Sequence, residues 1–387
     1  DFDVLANEFE LDDLLEWGFN ENELIGLDFS GKDTDNGLVE HSKLTDKFIV
    51  PPFSVLDARQ GYWQERKRAW ILLGIMSELG RGERLTSNID IREVGISGFT
   101  RREADARSNI KNSPKRPEWA TGTGTENMAS GTSIFDPVLC ELIYRWFCPP
   151  AGSVLDPFAG GSVRGIVASK LGHPYTGIDL RPEQVEANEA QAQQICEDSI
   201  PHWIVGDSRN LATLLPDNEK FDLVFSCPPY FDLEIYSDDN RDLSNAGDYD
   251  LFIKDYSEII ARSVERLNDN RFACFVVGDI RDKQGFYRNF VSDTITAFHN
   301  AGGKLYNEAI LVTVAGSLPI RINKQFQGYR KLGKTHQNVL VFYKGDPRKI
   351  KEFGEVEAGD IEQYNSDIDV TGGTPELVEP VMQVEAD

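Results

Sequence analysis

The chain has 387 residues, a formal net charge of −24, and 40% hydrophobic and 10% aromatic side chains. That apolar share suffices for a packed core and excludes a mainly disordered chain, while about 150 residues per domain makes two domains the expectation. No run approaches the ~18 consecutive apolar residues of a membrane span and no basic-then-apolar leader opens the chain, so no membrane partner is expected.

The excess charge is unevenly placed. Residues 1–57 carry 15 acids and 3 bases and residues 351–387 carry 11 acids and one base, whereas residues 59–116 carry 13 bases and 7 acids. A basic middle between acidic ends leaves nucleic acid open as a partner. Residues 1–27 read as two short amphipathic helices with Phe9, Leu14, Trp17, Leu24 and Leu27 on the apolar stripe and a turn at Gly18. The chain opens at Asp1 rather than Met, as expected of a fragment or processed product. Residues 29–46 form a polar connector, and 62–79 predict one helix, basic in its first half and apolar in its second. Residues 81–130 have little periodicity and read as a long surface excursion, a kind of segment that is functional or disordered. The expected organisation is an acidic segment over 1–57, a basic extension over 58–130, an α/β domain over 131–346 and an acidic, mobile tail over 347–387.

From residue 134 strand and helix patterns alternate. Helices are expected over 136–147, 162–171, 181–197, 249–267 and 287–301, and strands at 154–155, 175–179, 202–206, 222–226, 271–277, 305–313 and 337–343. Seven strands with intervening helices predict a doubly wound α/β sheet. No helical pattern separates the last two strands, which are expected to pair antiparallel at one edge. Five cysteines without C-x-x-C spacing speak against a disulfide framework and a zinc site, so no metal and a reducing cytosol are expected.

The sharpest local signal is Ser153-Val-Leu-Asp156-Pro-Phe-Ala-Gly160-Gly161-Ser162, an apolar strand that ends at an acid, turns on glycines and enters a helix. Glycines let the backbone approach a ligand there, and the helix start offers unpaired N–H groups. The alternative is a plain tight connection; the G-x-G-x-x-G fingerprint of nicotinamide cofactors is absent. Asp179, followed by Leu180, ends the next strand, where a carboxylate can take two ribose hydroxyls; Asp207, followed by Ser208, ends the third, where a carboxylate can accept from an adenine amine. A fourth strand ends in Ser226-Cys227-Pro228-Pro229-Tyr230, whose prolines stop the ladder and leave a rigid rim with free carbonyls and an aromatic face. An exocyclic base amine needs both acceptors and a stacking face.

Asp156-Pro-Phe-Ala-Gly-Gly-Ser followed by Cys227-Pro-Pro-Tyr230 resembles the S-adenosylmethionine-dependent amino-methyltransferases of DNA, which methylate adenine N6 or cytosine N4. The resemblance covers about 131–345 and, in detail, is to phage and prophage DNA methylases that carry a ParB-like domain upstream. It implies a Rossmann-like, seven-stranded methyltransferase sheet with an antiparallel last strand, S-adenosylmethionine as cofactor, S-adenosylhomocysteine as product and double-stranded DNA as partner. It places Gly160 and Gly161 beside the methionine part, with Asp156, Phe158 and Ala159 in that wall. Thr132, Ser133 and Phe135 would lie near the methionine carboxylate, Asp179 and Leu180 at the ribose, and Asp207 and Ser208 at the adenine. Cys227 and Pro228 would face the target amine, with Tyr230 stacked on the everted base.

Cys227 departs from the Asp, Asn or Ser that usually opens this turn, and a thiol is a poor acceptor. Either Ser226 substitutes, backbone carbonyls suffice, or Cys227 does other chemistry; cytosine-C5 transfer is disfavoured because its cysteine follows the proline. An RNA base amine, or a silent DNA-binding subunit, is the alternative reading. Two basic segments could hold DNA: Arg66, Lys67, Arg68, Arg101 and Arg102 beside Trp63 and Trp70, and a loop over 316–336 with Arg321, Lys324, Arg330, Lys331 and Lys334. Residues 232–248 are expected to be a mobile loop over the flipped base. Gly328 to Thr335 spells G-x-x-x-x-G-K-T, but a β-rich run follows where the phosphate loop needs a helix.

Overall fold

The computed structural model describes residues 48–75, 135–231 and 237–356, apart from Ile49, Asp198, Asp238, Val314, Gly316, Ser317 and Glu355. The helices expected in 1–27, the excursion at 81–130 with Arg101 and Arg102, Thr132, Ser133 and the chain beyond 356 lie outside the described residues.

Strands β1 (Val55–Asp57), β2 (Val154–Asp156), β3 (Tyr175–Asp179), β4 (His202–Val205), β5 (Phe221–Ser226), β6 (Leu267–Val277), β7 (Lys304–Val312) and β8 (His336–Lys344) form one sheet in the order β1-β7-β8-β6-β5-β2-β3-β4. Neighbours from β6 to β4 are parallel, whereas β8 runs antiparallel to both β6 and β7. The helices are α1 (Gly61–Ile71), α2 (Pro137–Phe147), α3 (Val163–Lys170), α4 (Pro182–Ile195), the short α5 (Leu211–Leu214), α6 (Tyr249–Arg266), α7 (Phe290–Asn300) and α8 (Leu318–Tyr329). This is a doubly wound, Rossmann-like α/β sheet, as the strand and helix order implies.

Both sheet faces are covered, so successive strand residues enter opposite cores. Phe272, Cys274 and Val276 join Trp63, Trp70, Tyr144 and Trp203 on one face. Ala273, Phe275 and Val277 join Phe252, Tyr256, Phe290 and Phe298 on the other, where the Phe298 and Phe342 rings stack at 3.8 Å. Near-continuous apolar runs in β5, β6 and β8 follow from that double burial. Asp136 opens α2 as expected, its carboxylate accepting from Val138 N at 2.9 Å.

Four features differ from the sequence reading. An eighth strand, β1, pairs parallel with β7 through Val55↔Ile310 and covers the edge expected for the antiparallel pair; three residues are too few to show a period. The boundary expected between 57 and 58 therefore falls inside a strand-to-helix unit that packs into the common core through Leu56, Trp63 and Trp70. Helix α1 ends at Ile71 rather than 79, closed by Gly74 at φ +96°. The loop expected over 316–336 contains α8, whose Leu318, Ile322 and Phe326 recur at i, i+4 and i+8, a stripe that Pro319 and Ile320 obscure. The G-x-x-x-x-G-K-T run leaves a helix and enters a strand, the reverse of a phosphate loop. All five cysteines are free, and no helix among the described residues is long and apolar enough to cross a membrane.

The topology positions the cleft. The chain lays β3 and β4 outward from β2 and then returns to place β5 on the other side of β2, with Leu155 beside Val224. The carboxyl ends of β2 and β5 are thus neighbours at the point where strand order reverses, which is where open α/β sheets bind ligands.

Candidate active site

The turn after β2 is held from behind. Asp156 is fully buried, its Oδ2 accepting from Arg164 Nε at 2.5 Å and Tyr175 OH at 2.7 Å. Its Oδ1 accepts from Ser226 Oγ at 2.5 Å and Phe158 N at 3.1 Å. Arg164 Nη2 donates to the carbonyls of Phe158 at 2.6 Å and Ala159 at 2.8 Å, and its guanidinium lies 4.6 Å over the Phe135 ring. Burial, the largest single influence, would lower the Arg164 pKa, but the charge and hydrogen bond of Asp156 together with Tyr175 and Cys227 outweigh it, and the net shift is upward. One buried ion pair therefore shapes a turn of five residues, Asp156 to Gly160.

At the tip of that turn Gly160 sits at φ +52°, and a Cβ there would meet nothing within 4 Å, so glycine is needed for conformation rather than space. Gly160 N donates to Asp179 Oδ2 at 3.0 Å, which links the turn to the end of β3. Asp179 also accepts from Arg181 N at 2.9 Å; burial pushes its pKa up from the ordinary aspartate value, against the pull of Arg181. Asp207, past the end of β4, accepts from Arg209 N at 2.9 Å and pairs with Arg209 Nη2 at 2.7 Å. Ser208 Oγ donates to Pro157 O at 2.6 Å and ties this end back to the glycine turn.

The end of β5 divides at one residue. Ser226 is fully buried, turned onto Asp156 and Phe158 N, which corrects its reading as a group that faces substrate. Cys227 is partly exposed in the cleft, with Sγ 4.0 Å from the Tyr230 hydroxyl. Tyr230 OH accepts from Gln337 Nε2 at 2.9 Å and its ring meets Phe290 edge-on at 5.9 Å, so the ring is braced on two sides. Phe231 leaves the turn at φ +49°, a left-handed conformation costing a non-glycine residue about 1–2 kcal/mol. Its ring is buried against Tyr249 and Phe252, which holds that strain in place.

These ends surround a cleft of about 370 Å³, within the range of small-ligand sites. Phe158, Ala159, Gly160 and Gly161 line it from β2, Asp179 and Leu180 from β3, and Asp207 and Ser208 from β4. Cys227, Pro228, Pro229 and Tyr230 line it from β5, and Phe135 closes the end beside α2. Asp156 and Ser226 stand behind the wall. Lys67, expected to hold DNA, instead lines this cleft with its Nζ 3.8 Å from Asp136; the lining residues that sequence reasoning missed include Gln337 and Arg164. Arg164 carried a signal: a cation on the short helix α3, whose positions 163–168 are all buried, requires an internal anion.

The basic segments are partly corrected. Arg66 is buried, its guanidinium bonded twice to the buried Glu141 at 2.8 Å, so it is a core ion pair rather than a phosphate contact. Trp63 and Trp70 are buried too, donating to Asp136 and Glu141. Arg68, Lys324 and Arg330 are exposed; Arg330 also donates to the Phe326 carbonyl at 3.0 Å and closes α8. Lys331 and Lys334 are half-buried. Arg321 lies in α8, its side chain outside the described residues. Of the loop expected over 232–248, residues 239–248 form a capped turn: Asp242 accepts from Ser244 N at 2.9 Å, Leu243 is buried, and Asp239 pairs with Arg241.

No protein-family model and no curated protein matches the chain. Among solved structures it is similar to TrmN from Thermus thermophilus, at 16% identity over 54% of this chain and 49% of that one, TM-score 0.36. It is similar also to a methyltransferase from Pyrococcus furiosus, at 14% identity over 55% of this chain and 84% of that one, TM-score 0.35. A third is magnesium protoporphyrin IX methyltransferase from Synechocystis PCC 6803 with bound SAM, at 11% identity over 67% of this chain and 100% of that one, TM-score 0.36. The chain spans about half the length of the first of these, and likenesses this distant carry no argument about its chemistry.

Proposed function

We propose that this chain transfers a methyl group from S-adenosylmethionine to an exocyclic amine, adenine N6 or cytosine N4, of a base everted from duplex DNA. The observation that carries the reading is that the glycine turn and the Cys227-Pro-Pro-Tyr230 rim line one cleft at the strand-order reversal. The residues present fit that donor. Gly160 leaves bare backbone at its turn, the partly exposed carboxylates of Asp179 and Asp207 offer acceptors for hydroxyl and amine hydrogens, and Lys67 offers a cation for a carboxylate. Bound there, S-adenosylmethionine supplies an electrophilic methyl on a sulfonium.

The chain's own part is positioning. The prolines lack the N–H donors that would continue the ladder; the Pro228 carbonyl serves as acceptor for the target amine, and the braced Tyr230 ring serves as the stacking face. Direct transfer needs no covalent enzyme intermediate, so orientation and acceptors at the amine carry the rate. A second reading, a subunit that binds cofactor without transferring, is favoured by one observation: Cys227 opens the rim while the nearby Ser226 hydroxyl is committed to Asp156. Incubation with methyl-labelled S-adenosylmethionine and either duplex DNA or an RNA hairpin tests both. Label in DNA is expected; label in RNA alone, or cofactor binding with no transfer, contradicts the proposal.

A further inference from the structure

Beside the cleft rim a short hairpin carries exposed basic and aromatic side chains. Arg281 bridges Tyr287 antiparallel, and the turn between them is closed by Asp282, whose carboxylate accepts from Gly285 N at 2.7 Å and Phe286 N at 2.9 Å. Asp282, partly exposed, is the one Asp or Glu in residues 280–291, against three Lys or Arg. The hairpin is stiff: Arg281 donates to Gly285 O at 2.8 Å and lies 4.0 Å over the Tyr287 ring. Yet Phe286 is 70% exposed and Tyr287 is 43% exposed at its tip.

The hairpin is continuous with the end of α8. A Cβ at Gly285 would lie 2.6 Å from Lys331 Nζ, so that ammonium rests on the hairpin turn, and the same Nζ lies 5.6 Å from the Tyr329 ring centroid. Tyr329 is 77% exposed, and residues 315–336 carry five Lys or Arg and no Asp or Glu. In a chain of net charge −24, this is a basic surface with protruding aromatic rings. It also adjoins the rim. The Arg288 guanidinium, at the hairpin's far end, lies 4.8 Å over the ring of Phe231, the residue after Tyr230, and its Nε has no partner among the described residues.

Resting on the reading above, we infer that the Arg281–Arg288 hairpin and the Tyr329–Lys334 segment together form the surface that grips duplex DNA beside the everted base. Lys283, Lys331 and Arg281 hold phosphates while Phe286 stacks on a base next to the gap that eversion leaves. Cations contribute a salt-dependent, sequence-independent share of binding, and exposed rings contribute stacking that salt does not screen. The occupant is DNA because the surface continues into the rim where the target base is placed, and because its charge is opposite to the net charge of the chain.

Fluorescence anisotropy of the intact chain with a labelled 20-base-pair duplex, run across a salt series, separates the two contributions. The double variant Lys283→Ala, Lys331→Ala is expected to reduce the slope of log affinity against log salt by about two, near one per cation. Phe286→Ala is expected to weaken binding about ten-fold with the slope unchanged. Lys170→Ala, exposed at the end of α3 opposite the cleft, is expected to change neither. S-adenosylmethionine affinity of each variant, expected to be retained, excludes unfolding as the cause. Wild-type affinity and slope in both hairpin variants overturn the surface while leaving methyl transfer standing. Lost DNA binding by the variants without methyl transfer by the parent chain keeps the surface and removes the enzyme. A parent chain that binds no duplex, or prefers an RNA hairpin of equal length, overturns the inference.

Discussion

Asp156 and Asp179 end adjacent parallel strands, and the sequence presents them as peers, yet the fold gives them opposite surroundings. Asp156 is sealed behind the glycine turn with Arg164, Tyr175 and Ser226 on its oxygens. Asp179 holds two backbone N–H groups and still faces the cleft, as does Asp207 one strand further out. The first carboxylate builds the wall and the second pair addresses what lies inside it. The difference follows from where the cation sits. Arg164 rises from the helix that β2 feeds and reaches inward, whereas Arg181 and Arg209 follow their aspartates by two residues and stay at the rim.

The comparison breaks most readily at the buried pair. Arg164→Met leaves Asp156 charged and unpaired in the interior, and is expected to cost ~3–5 kcal/mol of stability, read by urea unfolding. Arg66→Met is expected to cost less, ~1–3 kcal/mol, because Arg145 and Trp70 still reach the buried Glu141 at 2.9 and 2.8 Å; a measurable loss checks that Arg66 belongs to the core. Asp179→Asn, by contrast, is expected to fold and to bind S-adenosylmethionine about 10- to 100-fold more weakly by calorimetry, the worth of ~1.5–3 kcal/mol for bonds to a charged acceptor.

Acid sharpens the same contrast. Burial raises the Asp179 pKa above its unfolded value, so the folded chain takes up that proton first as pH falls. Cofactor affinity is therefore expected to decline at a higher pH than an ordinary aspartate would dictate, and that decline is expected to vanish in Asp179→Asn. The sign for stability is opposite: this carboxylate opposes folding at neutral pH, and the cost is relieved as pH drops through its raised pKa. Asp57, ending β1, shows the smallest effect. Its bond to Arg59 lowers its pKa to about 2, so it stabilises the fold above pH 3.8 and loses that contribution between there and about 2. Because Arg59 is mostly exposed, the contribution is under about 1 kcal/mol. Thermal melting of Asp57→Asn is expected to differ slightly from the parent at pH 6 and to converge with it near pH 2.

Much of this was legible in the residues. The order of strands and helices followed from apolar runs that doubly buried strands require, and the glycine and diproline turns marked the cleft because backbone constraints are local. Three things were not. β1 is too short to carry a period. Arg66 and Arg164 read as cations on helices, and their partners Glu141 and Asp156 became evident only when α2 and β2 were packed against them. Ser226 and Cys227 could not be ranked from spacing alone, because strand alternation says that they face opposite ways but not which way the cleft lies. The register Leu155↔Val224, which sets β5 beside β2, decides it.

The most direct test of a cleft shared by donor and base is nucleoside mass spectrometry of duplex DNA incubated with the chain and S-adenosylmethionine. N6-methyladenine or N4-methylcytosine, formed by the parent chain and lost in Tyr230→Ala, is the predicted product. Either 5-methylcytosine or unmodified nucleosides throughout contradicts the account.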